Sequence, residues 1–255
     1  MKTLLVTGAT AGFGEAIARR SIRDGHRVIA TGRRAERLEK LAAELGKNLL
    51  PRRLDMMDTA AIADFVPSLP QDWRGIDVLV NNAGLALGLS PAWEADLKQW
   101  DQMIATNITG LAHMTRAVLP QMVARNDGLI VNLGSVAANY AYAGGHAYGG
   151  TKAFVRQFTQ NLRADLVGYN VRATDIEPGM ADGSEFSLVR FSGDASKAKA
   201  VYEGTQSLTP EDIAEVVAWL VSLPAHVNIN HLELMPTCQA GGGFAVKRRQ
   251  GDVAK

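Results

Sequence analysis

The sequence predicts an α/β chain with one doubly wound parallel sheet of seven strands and helices on both faces. Three observations predict it. Short apolar runs alternate with amphipathic helical stretches along the whole chain. Each run is near-continuous rather than polar-apolar alternating, as strands covered on both faces are. Most runs end at a turn containing Gly, Asn or Pro, and right-handed crossovers between parallel strands build such a sheet.

Lys2–Thr7 is the first expected strand, followed by a helix from about Gly12 to Asp24. Arg27–Thr31 is the second strand, and Ala35–Leu45 a charged amphipathic helix with Glu36 and Lys40 one turn apart. Leu49–Leu54 is the third strand; Pro51 lacks an N–H for the ladder, which places it near an edge. A helix over Asp58–Val66 and a short buried strand over Asp77–Val80 follow. A long helix runs from about Leu97 to Arg125, with Pro120 expected to kink it. Leu129–Leu133 is the fifth strand, Ala147–Leu166 a long helix, and Val171–Ile176 the sixth strand. Thr209 caps a helix with Pro210 in its first position, and His231–Met235 is the seventh strand.

The 255 residues contain no Pro/Ser-rich linker, charge block or low-complexity run, so the expectation is one domain. Residues 180–206, with Gly183 and Gly193 and weak periodicity, read as a lid, and residues 237–255 as a C-terminal tail. Lys and Arg number 27 against 26 Asp and Glu, which argues against bulk binding of nucleic acid or anionic lipid. Lys247-Arg248-Arg249 reads as a solvated end, with no aromatics interleaved for base stacking. No run is long enough to span a membrane, and the apolar residues before Thr7 are too few for a signal sequence. Cys238 has no partner for an internal disulfide, so the expectation is cytoplasmic.

Open α/β sheets bind ligands beyond the carboxyl ends of their strands, so the chemistry is read there. The first strand ends in Thr7-Gly8-Ala9-Thr10-Ala11-Gly12-Phe13-Gly14. Its glycines permit a tight turn and close backbone approach, and the following helix offers free N–H groups to a pyrophosphate. A turn that only packs strand against helix gives the same string. The second strand ends in Gly32-Arg33-Arg34, where an NAD site would tend to carry an acid on the ribose. Arg33 and Arg34 suit a 2′-phosphate instead, so the expected cofactor is NADP(H). Asp55, closing the third strand with Met56 after it, is placed to accept from the adenine amino group. Tyr148 and Lys152 share one helical face, and Ser135 lies thirteen residues upstream at the end of the fifth strand. A nearby ammonium favours phenolate, so Lys152 is expected to lower the Tyr148 pKa and fit it for general acid-base work. The five histidines show no metal-ligand spacing, and no metal is expected.

Taken together, Thr7–Gly14, Asn81-Asn82-Ala83-Gly84, Asn107, Ser135, Tyr148, Lys152 and Pro178-Gly179 resemble, in order and spacing, the short-chain dehydrogenase/reductase family. The resemblance implies a Rossmann-type fold in which Tyr148 protonates the substrate carbonyl, Lys152 holds the nicotinamide ribose, and Ser135 polarises the carbonyl. Asn107 would position a relay water, Asn82, Ala83 and Gly84 line the adenosine-ribose side, and Pro178 and Gly179 flank the nicotinamide. Stretches including Ala30–Arg34, Tyr142–Gly145, Glu185–Phe191 and Leu223–Asn230 are similar to the NADP-dependent 3-hydroxy acid dehydrogenases of that family. That branch implies a homotetramer acting on serine, allo-threonine or 3-hydroxypropionate. Arg190, the only arginine of the expected lid, suits a substrate carboxylate or sulfonate. Gln239-Ala240 and Phe244-Ala245 are similar to the tail of sulfoacetaldehyde reductases, which keeps isethionate formation as an alternative. A non-catalytic dinucleotide sensor on the same fold is the further alternative.

Overall fold

A computed structural model of the chain describes residues 1–242. Its centre is a seven-stranded, all-parallel sheet in the order β3-β2-β1-β4-β5-β6-β7. The strands are β1 (Thr3–Val6), β2 (Arg27–Gly32), β3 (Leu49–Arg53), β4 (Val78–Asn81), β5 (Gly128–Leu133), β6 (Val171–Pro178) and β7 (His231–Leu234). The order reverses between β1 and β4, which opens a crevice at the carboxyl ends of those strands. Pro51 pairs with Ala30 on edge strand β3, where its missing N–H faces no further strand.

The strand side chains divide between two apolar layers because successive residues point to opposite faces. Leu4, Val6, Val28, Ala30, Val78, Val80 and Val131 pack on one side against α1 (Gly12–Arg23), α2 (Ala35–Leu45) and, later in the chain, α10 (Pro210–Ser222). Leu5, Ile29, Leu79 and Ile130 face the other layer. That layer includes residues of α3 (Thr59–Ala63), α4 (Phe65–Ser68), α6 (Leu111–Arg125) and α7 (His146–Asp165). An Arg20–Glu215 ion pair joins α1 to α10.

Four elements differ from the sequence expectations. The helix expected over 58–66 is two short pieces, α3 and α4, with Asp58 capping the first through the Ala61 N–H. The helix expected over 97–125 is interrupted, but not at Pro120, which lies within regular α6. After α5 (Leu97–Ile104) comes a π-helical turn, Ala105–Gly110, and α6 starts beyond it. One wider turn rotates Asn107 into the interior, a use to which π turns are often put. Glu36 and Lys40 form no ion pair among the described residues; α2 instead directs Arg37 to a distant carboxylate, described below. Strand β6 also runs on through Pro178.

Residues 180–206 contain α8 (Phe186–Arg190) and α9 (Ala195–Ala200). The two ends of this segment are tied together: Leu208 N–H donates to Met180 O and Asp182 N–H to Leu208 O. Thr209 caps α10 in a reciprocal box with Asp212, as its Thr-Pro-Glu-Asp sequence suggests.

Candidate active site

A cavity of about 780 Å³ lies between the strand ends and the segment 180–206. One end is built from the turn after β1 and the ends of β2 and β3. Gly8, Thr10, Ala11, Gly12 and Phe13 line it, with Arg33, Arg34, Asp55 and Met56. Gly8 sits at φ +69°, and a Cβ there would come within 2.9 Å of the Ala83 backbone, so both conformation and space select glycine. Gly14 is buried in α1 and does not line the cavity; its surroundings are Asn82 and the Gly8 backbone. The Asn82 amide donates to Thr7 O at 2.8 Å and to Gly8 O at 3.2 Å, fastening the glycine turn to β4. Among the described residues no side chain caps the first turn of α1, whose Gly12 and Phe13 line the cavity.

The other end is built around α7. Tyr148 and Lys152 line it with Ser135, Ala83, Gly84, Pro178 and Gly179. Lys152 is buried and donates from Nζ to the Leu133 carbonyl at 2.6 Å, and Nζ sits 5.8 Å from the Tyr148 ring centroid. Asn107 is buried behind this end rather than lining it. Its Oδ1 accepts from Leu85 N–H at 3.0 Å, while Nδ2 donates to Leu85 O at 2.9 Å and Thr151 Oγ1 at 3.0 Å. The carboxamide thereby locks the β4 loop onto α7.

Burial pushes the Tyr148 phenol up to about 12, against the lowering influence of the Ser135 hydroxyl and of Arg190. The expectation that Lys152 lowers it is not met. The ammonium is bound to the Leu133 carbonyl over the ring face, and burial pushes Lys152 itself down to about 8. Tyr148 in this state is a protonated acid.

Arg190 reaches the same end from the segment 180–206. Its Nη2 donates to the Tyr142 hydroxyl at 2.6 Å, and its guanidinium carbon lies 5.7 Å from the Tyr148 ring centroid. Its Nε is buried without a hydrogen-bond partner among the described residues. Gln239 also lines the cavity, and its Oε1 accepts from Met180 N–H at 2.7 Å. Phe244 and Ala245 lie outside the described residues, as do Lys247, Arg248 and Arg249.

Several residues at the site are given no individual role by the sequence. Tyr142 positions Arg190, and Phe186 packs edge-on against Tyr148 at 5.7 Å between centroids. Glu185 pairs with Arg34 and Arg37, more than a hundred residues distant in the chain. Beneath β5 lies a buried polar cluster. Asp175 and His231 are register partners on β6 and β7, and His231 Nε2 lies 2.7 Å from Glu177 Oε2. Neither Asp175 carboxylate oxygen has a hydrogen-bond partner among the described residues. Burial and the neighbouring Glu177 hold the Asp175 carboxyl far above the usual carboxylate range. This is the only trio of His, Cys, Asp or Glu with metal-compatible proximity among the described residues, and no spacing in the sequence announces it.

Residues 2–190 match the short chain dehydrogenase family. The chain belongs to this family. It is 61% identical over 245 residues to an NADP-dependent 3-hydroxy acid dehydrogenase of Salmonella typhi, covering 96% of this chain and 99% of that one. It is 52% identical over 246 residues to a serine 3-dehydrogenase of Agrobacterium fabrum, covering 96% and 98%. Among solved structures, the closed form of serine dehydrogenase complexed with NADP+ superposes with a TM-score of 0.95 at 59% identity, covering 97% of this chain and all of that one. The all-parallel sheet is the Rossmann-type architecture expected of a short-chain dehydrogenase. No helix among the described residues is long and apolar enough to cross a membrane.

Proposed function

We propose that this short-chain dehydrogenase interconverts a small 3-hydroxy acid, of the serine, allo-threonine or 3-hydroxypropionate type, and its oxo or semialdehyde form with NADP(H). The observation that carries the substrate class is Arg190. A guanidinium with a buried, unpartnered Nε beside the Tyr148 ring is costly unless an acceptor arrives. A substrate carboxylate supplies that acceptor through charge-assisted hydrogen bonds.

The residues present fit the cofactor. Gly8 and Gly12 leave backbone room, the open first turn of α1 offers donors to a pyrophosphate, and exposed Arg33 forms no ion pair among the described residues. Arg33 and Arg34 would hold the 2′-phosphate, with Thr10, Ala11, Gly12 and Phe13 along the pyrophosphate. Asp55, Met56, Asn82, Ala83 and Gly84 would border the adenosine, and Pro178, Gly179, Tyr148 and Lys152 the nicotinamide. NADP(H), when bound, supplies or accepts the hydride.

The chain's own contribution is positioning and proton handling. Arg190 orients the substrate by its anionic end. Ser135 donates to the carbonyl oxygen, and Tyr148, held protonated by burial, gives that oxygen its proton as the carbonyl is reduced. Burial lowers Lys152 to about 8, and its Nζ would hold the nicotinamide ribose. Asn107 shapes the relay by holding Leu85 and Thr151 in place. Residues 180–206 act as the lid, in keeping with the likeness to a relative solved in a closed form. A cytoplasmic homotetramer completes the reading: the tetramer rests on the branch resemblance, and the compartment on the single cysteine and the short apolar runs.

Reduction of sulfoacetaldehyde is the second reading, favoured by one observation: Gln239, part of the tail pattern of those reductases, lines the cavity. The test of enzymatic action is Tyr148→Phe. NADPH turnover is expected to fall by at least ~100-fold with NADPH affinity within about threefold of wild type. Wild-type turnover in the variant refutes the mechanism, and absent turnover in the wild type with a panel of short anionic aldehydes favours a non-catalytic sensor.

A further inference from the structure

Three chain segments meet at the Arg33 end of the cavity. Arg34, at the start of α2, donates from Nη2 to Thr10 Oγ1 at 2.9 Å and from Nη1 to Glu185 Oε2 at 2.6 Å. Arg37, one turn later, donates from Nη2 to Glu185 Oε1 at 2.9 Å and from Nη1 to Thr10 O at 3.4 Å. Both carboxylate oxygens of Glu185 are thus held by α2, and both arginines are anchored on the turn after β1. Just before Glu185, Ser184 rests on that turn: a Cβ on Gly12, itself at φ +54°, would come within 2.8 Å of the Ser184 Cβ. Just after it, α8 leads to Phe186 and Arg190 at the Tyr148 end. The segment is therefore tied at the Arg33 end of the cavity and reaches the Tyr148 end through α8.

We propose that Glu185 is a positioning residue that clasps the lid to Arg34 and Arg37 across the bound dinucleotide, so that release of NADP(H) requires this clasp to open. The inference rests on the cofactor reading above. A ligand reaching from Arg33 to Tyr148 passes beneath the Glu185 bridge. The two arginines divide their work: Arg33 stays free for the 2′-phosphate, while Arg37, which does not line the cavity, serves only the clasp. Arg34 links the two roles. The same carboxylate that retains the cofactor sets the start of α8, so the clasp also places Arg190 over the substrate.

The three side chains are between a third and a half exposed, so the clasp is salt-sensitive. The test uses the full chain and two readouts. Stopped-flow fluorescence of NADPH release is expected to speed up roughly 3- to 10-fold in Glu185→Gln and about 2- to 5-fold in Arg37→Gln. The double variant is expected to release no faster than Glu185→Gln alone, because both substitutions open one bridge. Without cofactor, trypsin is expected to cut the lid after Lys197 and Lys199 faster in both variants than in wild type. Raising wild type from about 0.1 to 1 M salt is expected to reproduce the Glu185→Gln release rate. Wild-type rates in either readout, or effects that multiply in the double variant, overturn the clasp. Failure of wild type to bind NADPH at all overturns the cofactor reading and the clasp with it.

Discussion

Lys152 holds a charge in the protein interior, where desolvation opposes it and the fold gains little in return. Burial pushes its ammonium from 10.5 down to about 8, against the raising influence of Asp175 and Glu177. Below pH 8 the folded protein bears the full cost. Between about 8 and 10.5 the folded state gives up this proton before the unfolded chain does, so the group's contribution to stability rises with pH. A shift of this size corresponds to roughly 3 kcal/mol. Lys152→Met keeps the apolar stem but loses the bond to the Leu133 carbonyl, so a net gain of about 1–2 kcal/mol at pH 7 is expected alongside lost turnover. The urea midpoint measures it, and an unchanged or lower midpoint contradicts the burial argument. The Tyr148, Lys152 and Ser135 set was legible in the sequence because helical spacing and a strand end each place a side chain locally. The protonation of Tyr148 was not, because it depends on burial of the ring, against which Phe186 packs edge-on and which outweighs the lowering influence of Arg190. Asp175 and His231 were hidden for a related reason: only the register of β6 against β7 brings them together.

At the scale of elements, strand identities and most helices followed from apolar runs and caps, and boundaries shifted by a residue or two. The π turn at Ala105–Gly110 did not follow, because a helical pattern cannot say where a turn widens. Its cause is tertiary: Asn107 satisfies both backbone groups of Leu85 and also Thr151. Pro120 looked the better candidate for the irregularity, yet α6 accommodates it. The Thr209–Asp212 box, in contrast, was visible in four residues and closes as expected, immediately after Leu208 joins the lid base. Thr209→Ala leaves the Asp212 N–H without its cap and is expected to cost about 1 kcal/mol. Because the cap adjoins the lid base, hydrogen exchange over residues 180–208 is expected to accelerate more than exchange in β4 or β5. Uniform acceleration would separate the cap from the lid.

For the molecule as a whole, the near-balance of 27 basic and 26 acidic residues conceals a sharply organised interior. Arg33 and Arg34 line one end of the cavity, where Glu185 pairs with Arg34 and with Arg37 behind it, and Arg190 lines the other end. A cofactor carrying a 2′-phosphate and a substrate carrying a carboxylate fit those two poles. The fold and the ring of strand-end residues were readable in advance, since a parallel sheet gathers its carboxyl ends on one edge. The cross-cavity contacts of the lid were not, since no local pattern relates residue 185 to residue 34. The role proposed for Arg190 is to select an anionic substrate for the Tyr148 chemistry. Its most direct test is kcat/KM for NADP+-dependent oxidation of 3-hydroxypropionate against its uncharged counterpart 1-propanol, in wild type and Arg190→Ala. The acid is expected to be preferred by about 10- to 100-fold in wild type, with most of that preference lost in the variant. Equal rates for acid and alcohol in wild type, or an undiminished preference in Arg190→Ala, would contradict it.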